Sequence, residues 1–359
     1  MLKRIVALTM IIVALPLSAS FPALTTYAAD TPGACAKLPS ATSAATAAAT
    51  KAATAAAAAT PAATKEAAQS AGATTISMNG GFAVYVLAQK WGEEYNKLHP
   101  EVQFDIQAAG AGKGMTEVLA GTIDIGLLSR EVAKAEADKG AIGFPAGIDA
   151  VVFTVNTQNP VLAQIQSKGL PCATLQKLFT GESQLTWGQV VGTDDASPVN
   201  VYTRADSSGA ADQAARFLGG ASQSDLRGTG VQGDPGVIEA VLKDPLGIGY
   251  NNLAFAYDPS TGNVIEGAAI VPLDQNANGK IDPEEAVYAT HKDIATAIAS
   301  RKYPWPPARQ NYLVTKGAPK GAVLDFIKWT LTDGQAFVED AGFIKTPDDK
   351  IKAALDALK

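Results

Sequence analysis

One stretch collects the residue types that hold an anion: Asn200-Val-Tyr-Thr-Arg204-Ala-Asp206-Ser-Ser208-Gly209-Ala210. Its first residues alternate and are β-branched or aromatic, which predicts a short strand. Ala211 to Leu218 then reads as a helix stopped by Gly219-Gly220. The polar turn between them therefore sits at a helix N-terminus, where unpaired N–H groups and the positive end of the dipole suit an anion. Arg204 adds a planar fork of donors that fits an oxyanion two atoms at a time. Asp206 can either hold Arg204 in place or accept a hydrogen bond from a ligand that still carries a proton. The same turn could also be a capped helix start with a surface Arg–Asp pair. Ser208 as a nucleophile needs a base, and the only histidines, His99 and His291, have no motif around them. Both read as surface residues, so the stretch predicts binding and not catalysis.

A second constellation predicts a metal. Asp274-Gln-Asn276-Ala-Asn278-Gly279-Lys280-Ile-Asp282-Pro-Glu-Glu285 fits the twelve-residue calcium loop. Asp274, Asn276 and Asn278 supply oxygens at alternating places, Gly279 permits the sharp turn, and Lys280 offers its carbonyl. Asp282 acts through water and Glu285 with both oxygens. Upstream lies a strand-like segment, Ala269 to Leu273, instead of a helix. The expectation is an EF-hand-like loop whose Ca2+ is structural, without the paired-helix switch. The simpler alternative is a surface turn nucleated by Asn278-Gly279.

Composition narrows the partners. The chain opens on Lys3-Arg4, an apolar run from Ile5 to about Leu17 and a small-residue end at Ala28-Ala29, which predicts a cleaved signal peptide over residues 1–28. Removing Lys3 and Arg4 takes the formal charge from −6 to −8. So acidic a chain lacks the basic footprint that nucleic acid needs, and any anion must be held by local geometry. Residues 29–73 are dominated by Ala and Thr and cannot bury a core, so they read as a low-complexity linker. Two cysteines, Cys35 and Cys172, are too few for a disulfide scaffold and match no zinc spacing. Lipid attachment at Cys35 is disfavoured, because Pro32 stands where a bulky aliphatic residue is wanted. No stretch after the leader is long and apolar enough to span a membrane. The expected location is periplasmic or extracellular.

The elements that must position these residues alternate. Thr74 to Met78, Val102 to Ile106, Ile123 to Leu128, Ile148 to Val155, Val199 to Thr203, Leu246 to Tyr250, Asn263 to Leu273 and Gln310 to Thr315 read as strands. Helices are expected over 83–98, from 115, over 132–139, near 174–179, 235–242 and 291–300, with three more after 315. Strands alternating with helices through tight loops mean an α/β fold with a mostly parallel sheet, whose ligands sit outside the carboxyl ends of the strands. Three loops fall there, two of them Gly-rich: Asn79-Gly-Gly81-Phe82, Gly110-Ala111-Gly112-Lys-Gly114 and Ser129-Arg130.

Those three loops and Arg204-Ala-Asp206-Ser-Ser208-Gly209 occur in an order that resembles the phosphate-binding proteins of ABC uptake systems. Phe179-Thr-Gly181 with Trp187, Leu246-Gly-Ile-Gly-Tyr250 and Tyr303-Pro-Trp-Pro-Pro-Ala-Arg309 add to the likeness, which covers residues 74 to 345. The resemblance implies a two-lobed, type II periplasmic-binding fold, each lobe a mixed or parallel sheet flanked by helices, with two chain crossovers. One lobe would take 74–152 and 309–359, the other 153–308. It further implies a monomer with a dehydrated phosphate held by Gly81, Phe82, Ala111, Gly112 and Ser129 from one side. Arg204, oriented by Asp206, and Ser208, Gly209 and Ala210 would close from the other, and an ABC permease would receive the ligand. The chain departs from the family's usual hydroxyl residues at Gly81, Ala111 and Ala210. Each lost neutral hydrogen bond costs about 1 kcal/mol, so the alternative is a calcium-stabilised interaction protein of the same fold with weak or altered oxyanion binding.

Overall fold

The computed structural model describes residues 74–359; the expected leader, the linker and Cys35 lie outside them. Eleven strands are present among the described residues: β1 Thr74–Gly80, β2 Val102–Ala108, β3 Ile125–Leu128, β4 Ala141–Asn156, β5 Leu170–Pro171, β6 Asn200–Arg204, β7 Thr229–Val231, β8 Gly247–Asn252, β9 Ala268–Ile270, β10 Leu273–Asp274 and β11 Ala308–Lys316. The helices are α1 Phe82–Leu98, α2 Ala111–Ala120, α3 Lys134–Ala137, α4 Leu162–Lys168, α5 Cys172–Thr180, α6 Trp187–Val191, α7 Gly209–Phe217, α8 Gly233–Lys243, α9 Leu253–Ala256, α10 His291–Ala299, α11 Gly321–Thr330 and α12 Asp348–Asp356.

Eight strands follow one another in the order β2-β1-β3-β11-β4-β8-β6-β7, and β9 joins through β4. The flanks are parallel, β2–β1–β3 on one side and β8–β6–β7 on the other. The two central strands, β4 and β11, run antiparallel to their neighbours. β4 pairs with β11 through Ala150 and with β8 from Val151 onward, so one strand of 16 residues serves both flanks. Hydrophobic packing divides at the same place. One core draws on residues from Ile148 to Ala308, and the other on Ile76 to Ala146 together with Leu313 to Ala354. The architecture is a two-lobed α/β fold with mixed sheets, as the resemblance implied.

Local sequence explains the elements that carry the site. In α1 the buried residues Val84, Leu87, Ala88, Trp91 and Tyr95 recur at three- and four-residue spacing. Each large side chain sealed there contributes about 1.5–3 kcal/mol. The helix stops at Leu98 because His99 precedes Pro100, and a residue before proline avoids the helical region. Thr186 caps α6 in a reciprocal box with Gln189.

Several boundaries differ from expectation. β4 begins at Ala141, not Ile148, because Pro145 sits at a bulge where the β4–β11 register shifts and no ladder N–H is missed. The strand expected over 263–273 is split into β9 and β10 at Val271-Pro272, since proline has no N–H to donate. Helix α2 starts at Ala111, so the second Gly-rich loop is itself the first turn of a helix. Helix α3 covers only Lys134–Ala137 of the expected 132–139. The histidines are also not plain surface residues. His99 stacks on Tyr95, and the half-buried His291 reaches the Gly342 carbonyl at 2.9 Å. No helix among the described residues is long and apolar enough to cross a membrane.

Candidate functional site

The carboxyl ends of the parallel strands from both lobes point into one space. β1 ends at Gly80 and α1 starts at Phe82; β3 ends at Leu128 and Ser129 follows, 2% exposed. A Cβ placed on Gly81 would stand 2.6 Å from Ser129 Oγ and 3.6 Å from the Ala111 Cβ. From the other lobe, a Cβ on Gly209 would stand 2.8 Å from Ser129 Cβ and 2.9 Å from the Ser129 carbonyl oxygen. One on Gly110 would lie 2.7 Å from the Ser207 carbonyl, and one on Gly112 would lie 2.2 Å from Ser207 Oγ. The turns are glycine because the lobes meet there backbone to backbone. The N-termini of α1, α2 and α7 are thereby brought together, each offering orphan N–H groups and a partial positive charge. Ser208 caps α7 by accepting from the Ala211 N–H at 3.3 Å, and Ala210 is 2% exposed beside it.

Arg204 lies across the end of β6 with its side chain 2% exposed. Its Nε donates to Asp206 Oδ1 at 2.7 Å and its Nη2 to Asp206 Oδ2 at 2.5 Å. Its Nη1 donates to Asp234 Oδ2 at 2.6 Å. The Phe82 ring covers the guanidinium, 5.1 Å from centroid to Cζ, and approaches Gly233 so closely that a Cβ there would be 2.7 Å from Phe82 Cζ. Burial works against the charge on Arg204, but Asp234 and Asp206 outweigh it and hold the pKa above the usual range. Burial likewise pushes Asp206 up, yet Arg204 and the Gly233 N–H, at 2.9 Å, leave it below an ordinary carboxylate. Gln223 fixes the turn: its amide donates to the carbonyls of Arg204 and Asp206, and its oxygen accepts from the Ser208 N–H.

Behind Arg204 the polar contacts continue to the central strands. Asp234, fully buried, accepts from the Asn252 N–H at 2.9 Å and the Asn252 side-chain amide at 2.8 Å. The Asn252 oxygen accepts from Arg309, which also reaches Asp149 Oδ2 at 3.2 Å. Burial pushes the Asp149 carboxyl up to about 6, partly offset by Arg309, and it lowers the pKa of Arg309.

The 274–285 loop forms in one piece. Asp274 Oδ1 accepts from the Asn278 N–H at 3.1 Å and its Oδ2 from the Gly279 N–H at 2.9 Å. Glu285 spans the loop, accepting from the Gln275 N–H at 2.7 Å and the Asp282 N–H at 3.1 Å. Gly279 has φ +78°, the left-handed conformation its position requires. Asp274 and Glu285 are 2% and 5% exposed. Asp282 takes the Asn276 and Asn278 amides on one oxygen and Lys280 on the other, and Lys280 with the amides holds it down to about 2. Among the described residues no three His, Cys, Asp or Glu side chains stand together at metal-holding range. The donor set nevertheless suits a hard cation: the sheltered Asp274 and Glu285 carboxylates and the Asp282 carboxylate share the loop with neutral amide and carbonyl oxygens.

Gly81, Ala111, Ser129 and Gly209 thus lie close together where the lobes meet, Gly112 lies against Ser207, Phe82 covers Arg204 beside Asp206, and Ser208 and Ala210 open α7. Sequence reasoning missed Ser207, Gln223, Gly233, Asp234, Asn252 and Asp149. Only Gly233-Asp234-Pro235, an acidic residue before the proline of a helix start, carried a local sign.

Residues 65–334 match the family model described as a PBP superfamily domain. The phosphate-binding protein PstS of Xylella fastidiosa (strain 9a5c) is 26% identical over 313 residues, covering 77% of this chain and 83% of that protein. PstS of Bacillus subtilis (strain 168) is 26% identical over 291 residues, covering 79% and 84%. Among solved structures, a protein assigned as a phosphate ABC transporter substrate-binding protein of Clostridium perfringens, with bound phosphate, superposes with a TM-score of 0.62. It is 21% identical and covers 76% of this chain and 100% of that one.

Proposed function

The chain belongs to the PBP superfamily, and from that premise we propose that it is an exported binding protein that captures inorganic phosphate between its lobes and delivers it to an ABC permease. The observation that carries this reading is the meeting of the α1 and α7 N-termini at Ser129, with the α2 N-terminus beside Gly81 and Phe82 of α1 lying over the Arg204 guanidinium. We assign 74–152 and 309–359 to one lobe and 153–308 to the other. Phe82, Gly209 and Ala210 would donate backbone N–H groups to the anion, Ser129 and Ser208 hydroxyls, and Arg204 a charged pair, while Asp206 orients Arg204. No bond is made or broken, and the function is closure around a dehydrated ligand. With Gly81, Ala111 and Ala210 lacking hydroxyls, backbone donors and Arg204 carry the affinity. An acidic mature chain acting alone as a monomer, without nucleic acid, fits this role.

The 274–285 loop would hold Ca2+ through Asp274, Asn276, Asn278, the Lys280 carbonyl, Asp282 and Glu285. Bound there, the ion would supply only cross-linking, pinning β10 and its partner β5 beneath the lobe. Isothermal titration of the mature protein with phosphate tests the main reading. Heat at one phosphate per chain that vanishes in Arg204→Ala is expected, and undiminished affinity in that variant removes this site.

A further inference from the structure

We propose that the site takes phosphate as the singly charged dihydrogen form, and that Asp234 is the residue that sets this preference. The inference rests on the phosphate reading and concerns the ligand's charge. The Arg204 guanidinium is bound by two carboxylates, Asp206 through both oxygens and Asp234 at 2.6 Å. The local charge at the arginine is therefore negative by one.

The surrounding elements do not overturn that surplus. From β11 and β4, Arg309 and Asp149 form a pair at 3.2 Å and cancel each other when both are ionised. From β8, Tyr250 contributes a neutral hydroxyl to Thr203 and to the Arg204 N–H. At the rim, Arg130 is matched by Glu136 at 2.7 Å and Asp212 at 3.8 Å. From α2, Lys113 stands near Glu117. From α1, Phe82 brings an uncharged ring.

What favours an anion is the set of N-termini of α1, α2 and α7, each worth about half a positive charge. Against the surplus carboxylate they leave a balance of only about half a positive charge, which a singly charged anion exceeds far less than a dianion does. Asp234 is fully buried and anchored by Asn252, so its carboxyl is held in place against Arg204. Asp149, raised to about 6, is ionised at pH 8 and there neutralises Arg309, so the pair adds no positive charge to the balance. Asp234→Asn keeps the shape and an acceptor for Arg204 while shifting the balance toward a dianion.

Proton linkage reads this directly. Phosphate is titrated into the mature chain at pH 8, where free phosphate is mainly the dianion, in buffers of differing ionisation heat. Wild type should take up close to one proton per phosphate, and its Kd should rise about tenfold per pH unit above neutrality. Asp234→Asn should take up almost none and lose the pH slope. Asp149→Asn should keep the uptake, since the proton rides on the ligand; loss of uptake there would move the proton to Asp149 and overturn the inference. Phosphate binding by wild type without proton uptake overturns the inference while leaving the phosphate reading intact. No phosphate heat at any pH from a folded chain overturns both. If Asp234→Asn does not fold, the wild-type uptake alone decides.

Discussion

The two polar centres of this molecule are built in opposite ways. The 274–285 loop satisfies its carboxylates with its own backbone: Asp274 and Glu285 accept N–H groups from within twelve residues. The cleft draws Phe82, Ser129, Arg204, Asp234 and, behind them, Arg309 from loops far apart in the chain, and joins them only where strands end side by side. A local centre can form whenever its segment turns. A distributed one exists only when both lobes are folded and shut, so its charges are structural as well as functional.

That contrast orders the expected effects. Breaking the distributed centre should cost most. Arg204→Ala leaves Asp206 and Asp234 buried without their partner, so phosphate heat should disappear and unfolding in denaturant should lose about 3–5 kcal/mol. The local centre should cost less. If Ca2+ at a hundredfold excess over its Kd is removed by a chelator, stability should fall by about 3 kcal/mol. The melting temperature should drop several degrees, and Glu285→Gln should mimic it; an unchanged melt with no calcium heat would remove the metal.

Smaller again is the pH dependence carried by Asp149. Burial raises its folded pKa above the ordinary carboxylate value, so the native chain holds that proton more tightly than the unfolded one. Its stabilising contribution is present below the usual carboxylate range and is lost as pH rises toward about 6. Between pH 4.5 and 6 the loss is about 2 kcal/mol, and Asp149→Asn should flatten that slope in thermal melts. The smallest effect is steric. Gly209→Ala would press a methyl against the Ser129 carbonyl, and phosphate affinity should fall about tenfold, near 1.4 kcal/mol, with little change in melting.

The same contrast explains what the sequence made legible. The calcium-loop spacing and the Arg204 turn are contiguous, so residue types and offsets reveal them without any fold. The strand ends that carry Gly81, Ala111 and Ser129 follow from βα alternation, because such folds gather ligands there. Asp234 and Asn252 left almost no trace, since their meaning arises only when β8 lies beside β6 and α8 begins over Arg204. β4 was seen only in half, because Pro145 argues against a strand until the bulge that accommodates it is known. His291 could not be placed by sequence, as its partner Gly342 is contributed by the chain's return to the first lobe.

The most direct test of the whole account is a crystal structure of the mature protein with phosphate. One tetrahedral density is predicted within hydrogen-bond reach of the Phe82 and Gly209 N–H groups, Ser129 and Arg204. Phosphate bound elsewhere with this cleft closed and empty would contradict it.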